Sequence, residues 1–184
     1  MRFSDVGGHW AESDIYDMVA RGIVDGMGNG TFAPDREITR AELVKLLAVI
    51  SGGDIGGEAS FVDVPADEWY SGYIAWAEAS KVVNGYDNFM FMPNQTVTRQ
   101  EMAVMIVRYL DYKGIQMPET GANYEFADGD EISDWALEAI GTAQRTGLLE
   151  GVEVEQNMRF IYPKNSTTRA EATTVLLRLI KRVD

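Results

Sequence analysis

Thr39-Arg40-Ala41-Glu42 opens a run in which Leu43, Leu46, Leu47 and Ile50 fall at helical spacing. Apolar residues at i, i+3, i+4 and i+7 mark one face of an amphipathic helix. Thr-x-x-Glu ahead of such a run is a capping box: the threonine oxygen accepts from a first-turn N–H, and the glutamate reaches back to the threonine N–H. The motif returns as Thr98-Arg99-Gln100-Glu101, before Met102, Met105, Ile106 and Leu110. It returns again as Thr168-Arg169-Ala170-Glu171, before Ala172, Val175, Leu176 and Leu179. One helix start written three times implies a repeat architecture.

Upstream of each start the chain repeats other features in the same order. Phe3-Ser4-Asp5-Val6 matches Phe61-Val62-Asp63-Val64 and Phe126-Ala127-Asp128, and Trp10, Trp69 and Trp135 follow. A first helix is predicted over about 11–21, with Ile15, Met18 and Val19 on one face, and over about 71–80 and 134–145. Gly22 and Gly147 stand where a left-handed cap is expected. Then come Ile23-Val24-Asp25-Gly26, Val82-Val83-Asn84-Gly85 and Leu148-Leu149-Glu150-Gly151, and prolines at 34, 93 and 163. From glycine to proline is eight positions in the first two repeats and twelve in the third, whose loop must differ.

The repeats are placed at 1–51, 60–112 and 124–184, joined by glycine-rich linkers over 51–60 and 113–123. Two short helices bury too little apolar surface to stand alone. The three units are therefore expected to share a core about a pseudo-threefold axis.

Composition narrows the function. The 184 residues are 46% hydrophobic, enough for a packed core, and carry a formal charge of −13. No basic run offsets that charge, which argues against nucleic acid and against an anionic membrane surface. No apolar stretch approaches the ~20 residues of a membrane span. Residues 1–20 show no signal-peptide pattern, and the expectation is a module excised from a longer exported protein. The absence of cysteine excludes disulfides, thiolate metal sites and cysteine catalysis. No cofactor or metal site is expected. Residues 25–36 imitate a calcium loop, but Met27 and Arg36 occupy ligand positions. The single histidine, His9, aligns with Glu68 and Asp134 and so lies outside the recurring chemistry. An enzyme is not expected.

The candidate site residues are those that recur. Capping suffices to explain the threonine and glutamate. It does not explain Arg40, Arg99 and Arg169, each of which sits at the positive end of a helix dipole. Either they face a bound anion, gripped by the helix start and a guanidinium fork, or they pair with a nearby acid. Trp10, Trp69 and Trp135 either pack as walls or form platforms for a sugar. Asp5, Asp63 and Asp128 either stabilise a turn or accept from sugar hydroxyls. Gly26, Gly85 and Gly151 allow close backbone approach or simply turn the chain.

These motifs, in fixed order three times over nearly the whole chain, resemble the S-layer homology (SLH) family. The third repeat departs in having Ile161-Tyr162-Pro163 where the others have Phe-x-Pro. The resemblance implies an all-α fold: three helical repeats in a three-pronged, pseudo-threefold assembly around a central bundle. It implies a non-covalent, extracellular cell-wall anchor of Gram-positive bacteria, monomeric as an isolated module. The implied partner is a secondary cell wall polysaccharide ending in pyruvylated N-acetylmannosamine, held in grooves between repeats. The motif arginines, here Arg40, Arg99 and Arg169, are implied to contact the pyruvate carboxylate. The alternative is a helical-repeat adaptor that binds another protein.

Overall fold

The computed structural model describes residues 2–53, 55–121, 124–155 and 158–183. Each repeat supplies two helices. The first of each pair are α1 (Glu12–Ala20), α3 (Ser71–Ala79) and α5 (Leu137–Arg145), the last entered through a 3-10 turn at Asp134–Ala136. The second are α2 (Arg40–Ser51), α4 (Arg99–Lys113) and α6 (Arg169–Val183). None of these helices is long and apolar enough to cross a membrane. Asp54, Ala122 and Asn123, within the two expected linkers, lie outside the described residues.

The all-α expectation needs correction. The fold is mostly helical, but the third repeat carries a two-stranded antiparallel sheet, β1 (Val152–Glu155) against β2 (Met158–Phe160). Its physical origin is the longer glycine-to-proline loop. Val152-Glu153-Val154-Glu155 alternates, and the added length lets it fold back on its own sequel. Glu153 lies opposite Arg159, and the two form an ion pair at 2.8 Å.

All three second helices begin in a closed capping box. Glu42 N donates to Thr39 Oγ1 at 3.2 Å and Thr39 N donates to the Glu42 carboxylate at 2.9 Å. The pairs at Thr98/Glu101 and Thr168/Glu171 are equivalent. After the first helices, Gly22 and Gly147 turn the chain with φ of 69° and 66°. The second repeat uses Lys81 there, at φ 60°.

The repeats interlock in sequence order, and the third returns to the first. Helix α2 packs on α3, α4 on α5, and α6 on α1. At each second-helix start the neighbouring repeat supplies backbone acceptors. Arg40 N and Ala41 N donate to the carbonyls of Gln95 and Pro93. Arg99 N and Gln100 N donate to those of Asn165 and Pro163, and Arg169 N and Ala170 N to those of Arg36 and Pro34. The N–H groups that a helix start leaves without intrahelical partners are thus consumed between repeats. Beneath them, Leu43 and Leu47, Met102 and Ile106, and Ala172 and Leu176 are fully buried in one shared apolar cluster.

Candidate ligand-binding grooves

Each groove is built outward from an aspartate clasp. Asp5 accepts from Phe32 N and Ala33 N at 2.8 and 2.7 Å. Asp63 accepts from Phe91 N and Met92 N, and Asp128 from Ile161 N and Tyr162 N, at the same distances. Ala33, Met92 and Tyr162 have φ of 57°, 58° and 49°, a left-handed conformation unfavourable for residues with a Cβ. Both carboxylate oxygens hold that turn in place. Local desolvation works to raise the pKa of the exposed Asp5, but the Phe32 and Ala33 N–H donors, helped by its own N–H and the charge of Arg169, hold the group below its ordinary value. The aspartates thus act as turn clasps, with both oxygens accepting from the protein's own backbone, which is the turn-stabilising one of the two readings.

The clasped turn presents a carbonyl to the motif arginine of another repeat. Arg40 Nε donates to Phe91 O at 2.9 Å, Arg99 Nε to Ile161 O at 2.8 Å, and Arg169 Nε to Phe32 O at 3.0 Å. A second nitrogen meets a capping-box glutamate: Arg40 Nη1 to Glu101 at 3.0 Å and Arg99 Nη1 to Glu171 at 2.6 Å. Arg169 lies 3.9 Å from Glu42, which Arg36 also engages, and Arg169 Nη2 donates to Asp25 O at 2.9 Å. Arg40 stacks on Tyr86 and Phe91, and Arg169 on Phe32. Arg40 and Arg99 are only 5% and 9% exposed.

Of the two readings, pairing with an acid is met at Arg40 and Arg99, and all three arginines tie the repeats together. The helix-start anion site is corrected, since the first-turn N–H groups already have acceptors. What the arginines leave available is part of a guanidinium edge.

The carboxylates carry the same imprint. Burial pushes Glu42 and Glu101 upward, yet both lie below their ordinary value. Arg36, the Thr39 N–H and Arg169 overcome burial at Glu42; Thr98, Tyr86 and Arg40 do so at Glu101. Burial, then the Glu101 contact, pushes the Tyr86 hydroxyl up to about 12. Burial lowers Arg169, with Glu42 partly opposing it.

Three grooves of 310, 340 and 430 Å³ open beside these ties. The first is lined by Arg169, Gly26, Glu42, Lys45 and Trp69. The second has Arg99, Gly151, Glu171, Arg178 and Trp10, and the third Arg40, Gly85, Glu101, Arg108 and Trp135. Every groove thus combines a motif arginine from one repeat, a glycine loop and capping glutamate from a second, and a tryptophan from the remaining one. The tryptophans are 64, 52 and 58% exposed at positions 10, 69 and 135. A Cβ on Gly26, Gly85 or Gly151 would lie 2.3, 2.3 or 2.7 Å from the ring of Phe3, Phe61 or Phe126. These glycines are needed where the loop lies on its own repeat's phenylalanine.

A family model for the S-layer homology domain matches residues 2–44, 60–103 and 125–173. The chain belongs to the S-layer homology domain family. The SLH chain is 30% identical over 181 residues to an amylopullulanase of Thermoanaerobacterium thermosulfurigenes, covering 98% of this chain and 10% of that protein. It is 29% identical to the surface-layer 125 kDa protein of Lysinibacillus sphaericus, covering 99% and 15%. It is 31% identical to the S-layer protein sap of Bacillus anthracis, covering 98% and 21%. The SLH chain thus spans about a tenth to a fifth of the length of these curated relatives. SLH repeats form a non-catalytic, cell-surface anchoring module.

Sequence reasoning missed the second cation of each SLH groove. Arg108 and Arg178 both stand nine positions after a motif arginine, a spacing that could have revealed them. The first repeat has Val49 there and supplies Lys45 from the preceding turn instead, which breaks the pattern.

Proposed function

We propose that this module anchors an exported protein to the bacterial cell wall by holding an anionic secondary cell wall polysaccharide in its inter-repeat grooves. The ligand is the pyruvylated N-acetylmannosamine end of that polymer. The carrying observation is the threefold recurrence of one groove composition: a guanidinium edge, a second cation and an exposed tryptophan from a different repeat. A carboxylate on a sugar suits that set, since cations meet the charge and an indole face meets the apolar face of the ring. Three grooves on one rigid ring give avidity toward a multivalent wall.

The closed sequence of contacts supports a pseudo-threefold, three-pronged arrangement around a central bundle. We assign the three repeats to 1–51, 60–112 and 124–184. The module acts as a monomer at the cell surface. The relatives include S-layer proteins and large glycan-degrading enzymes, which supports a body of that kind fused to this module.

The test is co-sedimentation with purified walls, before and after the polysaccharide is stripped. Binding should vanish with the polymer; binding that survives stripping, or that follows a wall protein, refutes the reading in favour of an adaptor. Arginine-to-alanine variants make poor probes here because the side chains are structural. Trp10→Ala, Trp69→Ala and Trp135→Ala act on exposed rings, whose loss should shift stability by only about 0.5 kcal/mol. Each should lower the affinity of its own groove for the pyruvylated sugar in calorimetry.

A further inference from the structure

The three grooves differ in how far their second cation is already neutralised. The residue before the groove glycine is Asp25 in the first repeat, Glu150 in the third and Asn84 in the second. Lys45 lies 3.8 Å from Asp25, and Arg178 lies 3.3 Å from Glu150 while also donating to Leu148 O. Arg108 meets no carboxylate within ion-pair distance among the described residues. With the Asn84 amide turned as its neighbours require, its oxygen accepts from Arg108 Nη2 at 3.2 Å and its nitrogen donates to Val83 O. That contact is neutral and leaves the positive charge unanswered.

Resting on the wall-polymer reading above, we propose that the groove of Arg40, Arg108 and Trp135 is the primary anion-binding groove, and that Asn84 makes it so by replacing an acid. Three further observations agree. Arg108 is partly buried, and burial alone shifts its pKa, downward, with no carboxylate opposing it. The remaining donors of Arg108 therefore have no carboxylate at ion-pair distance among the described residues; the Glu101 that also lines the groove is held by Arg40. Arg40, like Arg99, leaves Nη2 without a hydrogen bond among the described residues, whereas Arg169 has Nε and Nη2 on carbonyls and Nη1 beside Glu42, so this observation sets the groove apart from the Arg169 groove alone. This groove is also the largest of the three, at 430 Å³. Asp87 borders it too, but that side chain is exposed and makes no ion pair among the described residues. An incoming carboxylate must displace an acid from the second cation in the other two grooves; here it meets one that has none.

Each groove contains one tryptophan, and the fourth, Trp76, is buried outside them, so the indole N–H signals of Trp10, Trp69 and Trp135 report occupancy groove by groove in a ¹H–¹⁵N correlation spectrum. The probe is the methyl glycoside of 4,6-pyruvylated N-acetylmannosamine, with the unpyruvylated sugar as control, and signals are assigned through single Trp→Phe variants. The Trp135 signal should move at the lowest concentration. Asn84→Asp should weaken that groove about fivefold, the scale of a partly exposed ion pair. Asp25→Asn and Glu150→Gln should tighten the Trp69 and Trp10 grooves by a similar factor. Asn84 is exposed, so its variant should fold, and a thermal melt verifies this. Trp10 or Trp69 moving first, or Asn84→Asp leaving the Trp135 groove unchanged, overturns the ranking while the wall-polymer reading stands. Silence of all three signals overturns that reading and the ranking with it.

Discussion

The glycine-to-proline loops of the first two repeats and that of the third perform the same task at different lengths. The short loops go straight from Gly26 to Pro34 and from Gly85 to Pro93. The long one leaves Gly151, forms a hairpin and returns at Pro163. Both ends of the long loop nevertheless keep the geometry of the two short loops. Gly151 packs on Phe126, Asp128 clasps Ile161 and Tyr162, and Ile161 O receives Arg99 at 2.8 Å, within 0.2 Å of its two counterparts. Every residue of β1 is exposed. The loop's function therefore resides in its two anchored ends, and its middle is free to vary.

The largest effects should come from breaking the anchors. Arg40→Ala leaves Glu101 partly buried without its cation and removes the tie to Phe91 O, and should cost about 3–5 kcal/mol in chemical denaturation. Arg99→Ala should cost about as much if the long loop is as firmly anchored as the short one; a cost under ~1 kcal/mol would break the equivalence. Asp128→Ala removes two charge-assisted hydrogen bonds at a buried site and should cost about 3 kcal/mol or more. Asp5→Ala, at an exposed site, should cost less, and the order of the two tests whether burial sets the clasp's strength.

Acid should loosen the same joints. Glu42 and Glu101 have folded pKa values below the ordinary 4.5, so their contribution is complete above that value and is lost as pH falls through the lower folded value. The melting temperature should hold from neutrality to about pH 5 and then fall. Glu101→Gln should flatten part of that fall.

Smaller effects sharpen the contrast among repeats. Lys81→Gly gives the second repeat the left-handed glycine that the first and third possess, and should stabilise by about 1 kcal/mol. Deleting residues 154–157 restores the shorter loop length; the stability change should be under ~1 kcal/mol if the middle of the loop carries no anchor.

Much of the fold was legible because it is local. Thr39 and Glu42 stand three residues apart and cap each other, and Leu43 and Leu47 share a helix face at fixed spacing. Gly22 and Gly147 sit two residues past a helix end. Each feature is completed within a turn or two of chain, and its recurrence marked out three units. The four extra residues of the third loop were also plain in the sequence, although their pairing into a sheet was not. Alternation over four residues is too short to separate a hairpin from an irregular loop.

The role of Arg40, Arg99 and Arg169 was decided only by tertiary structure. Arg40 finds its carbonyl 51 residues away and Arg169 finds its own 137 residues away. No local pattern records such partners. Read locally, an arginine at a helix start is an electrostatic misfit that invites a ligand. In the folded ring its first-turn neighbours already have acceptors, and its own nitrogens tie its repeat to the adjoining one. The sequence by itself determined where each repeat begins, how its second helix is capped and which residues recur. Closure of the ring decided which of those residues became joints and which, like the three exposed tryptophans, were left facing the grooves. The physical reason is that the grooves exist only between repeats, so their walls are assembled from segments that no local stretch of chain contains together.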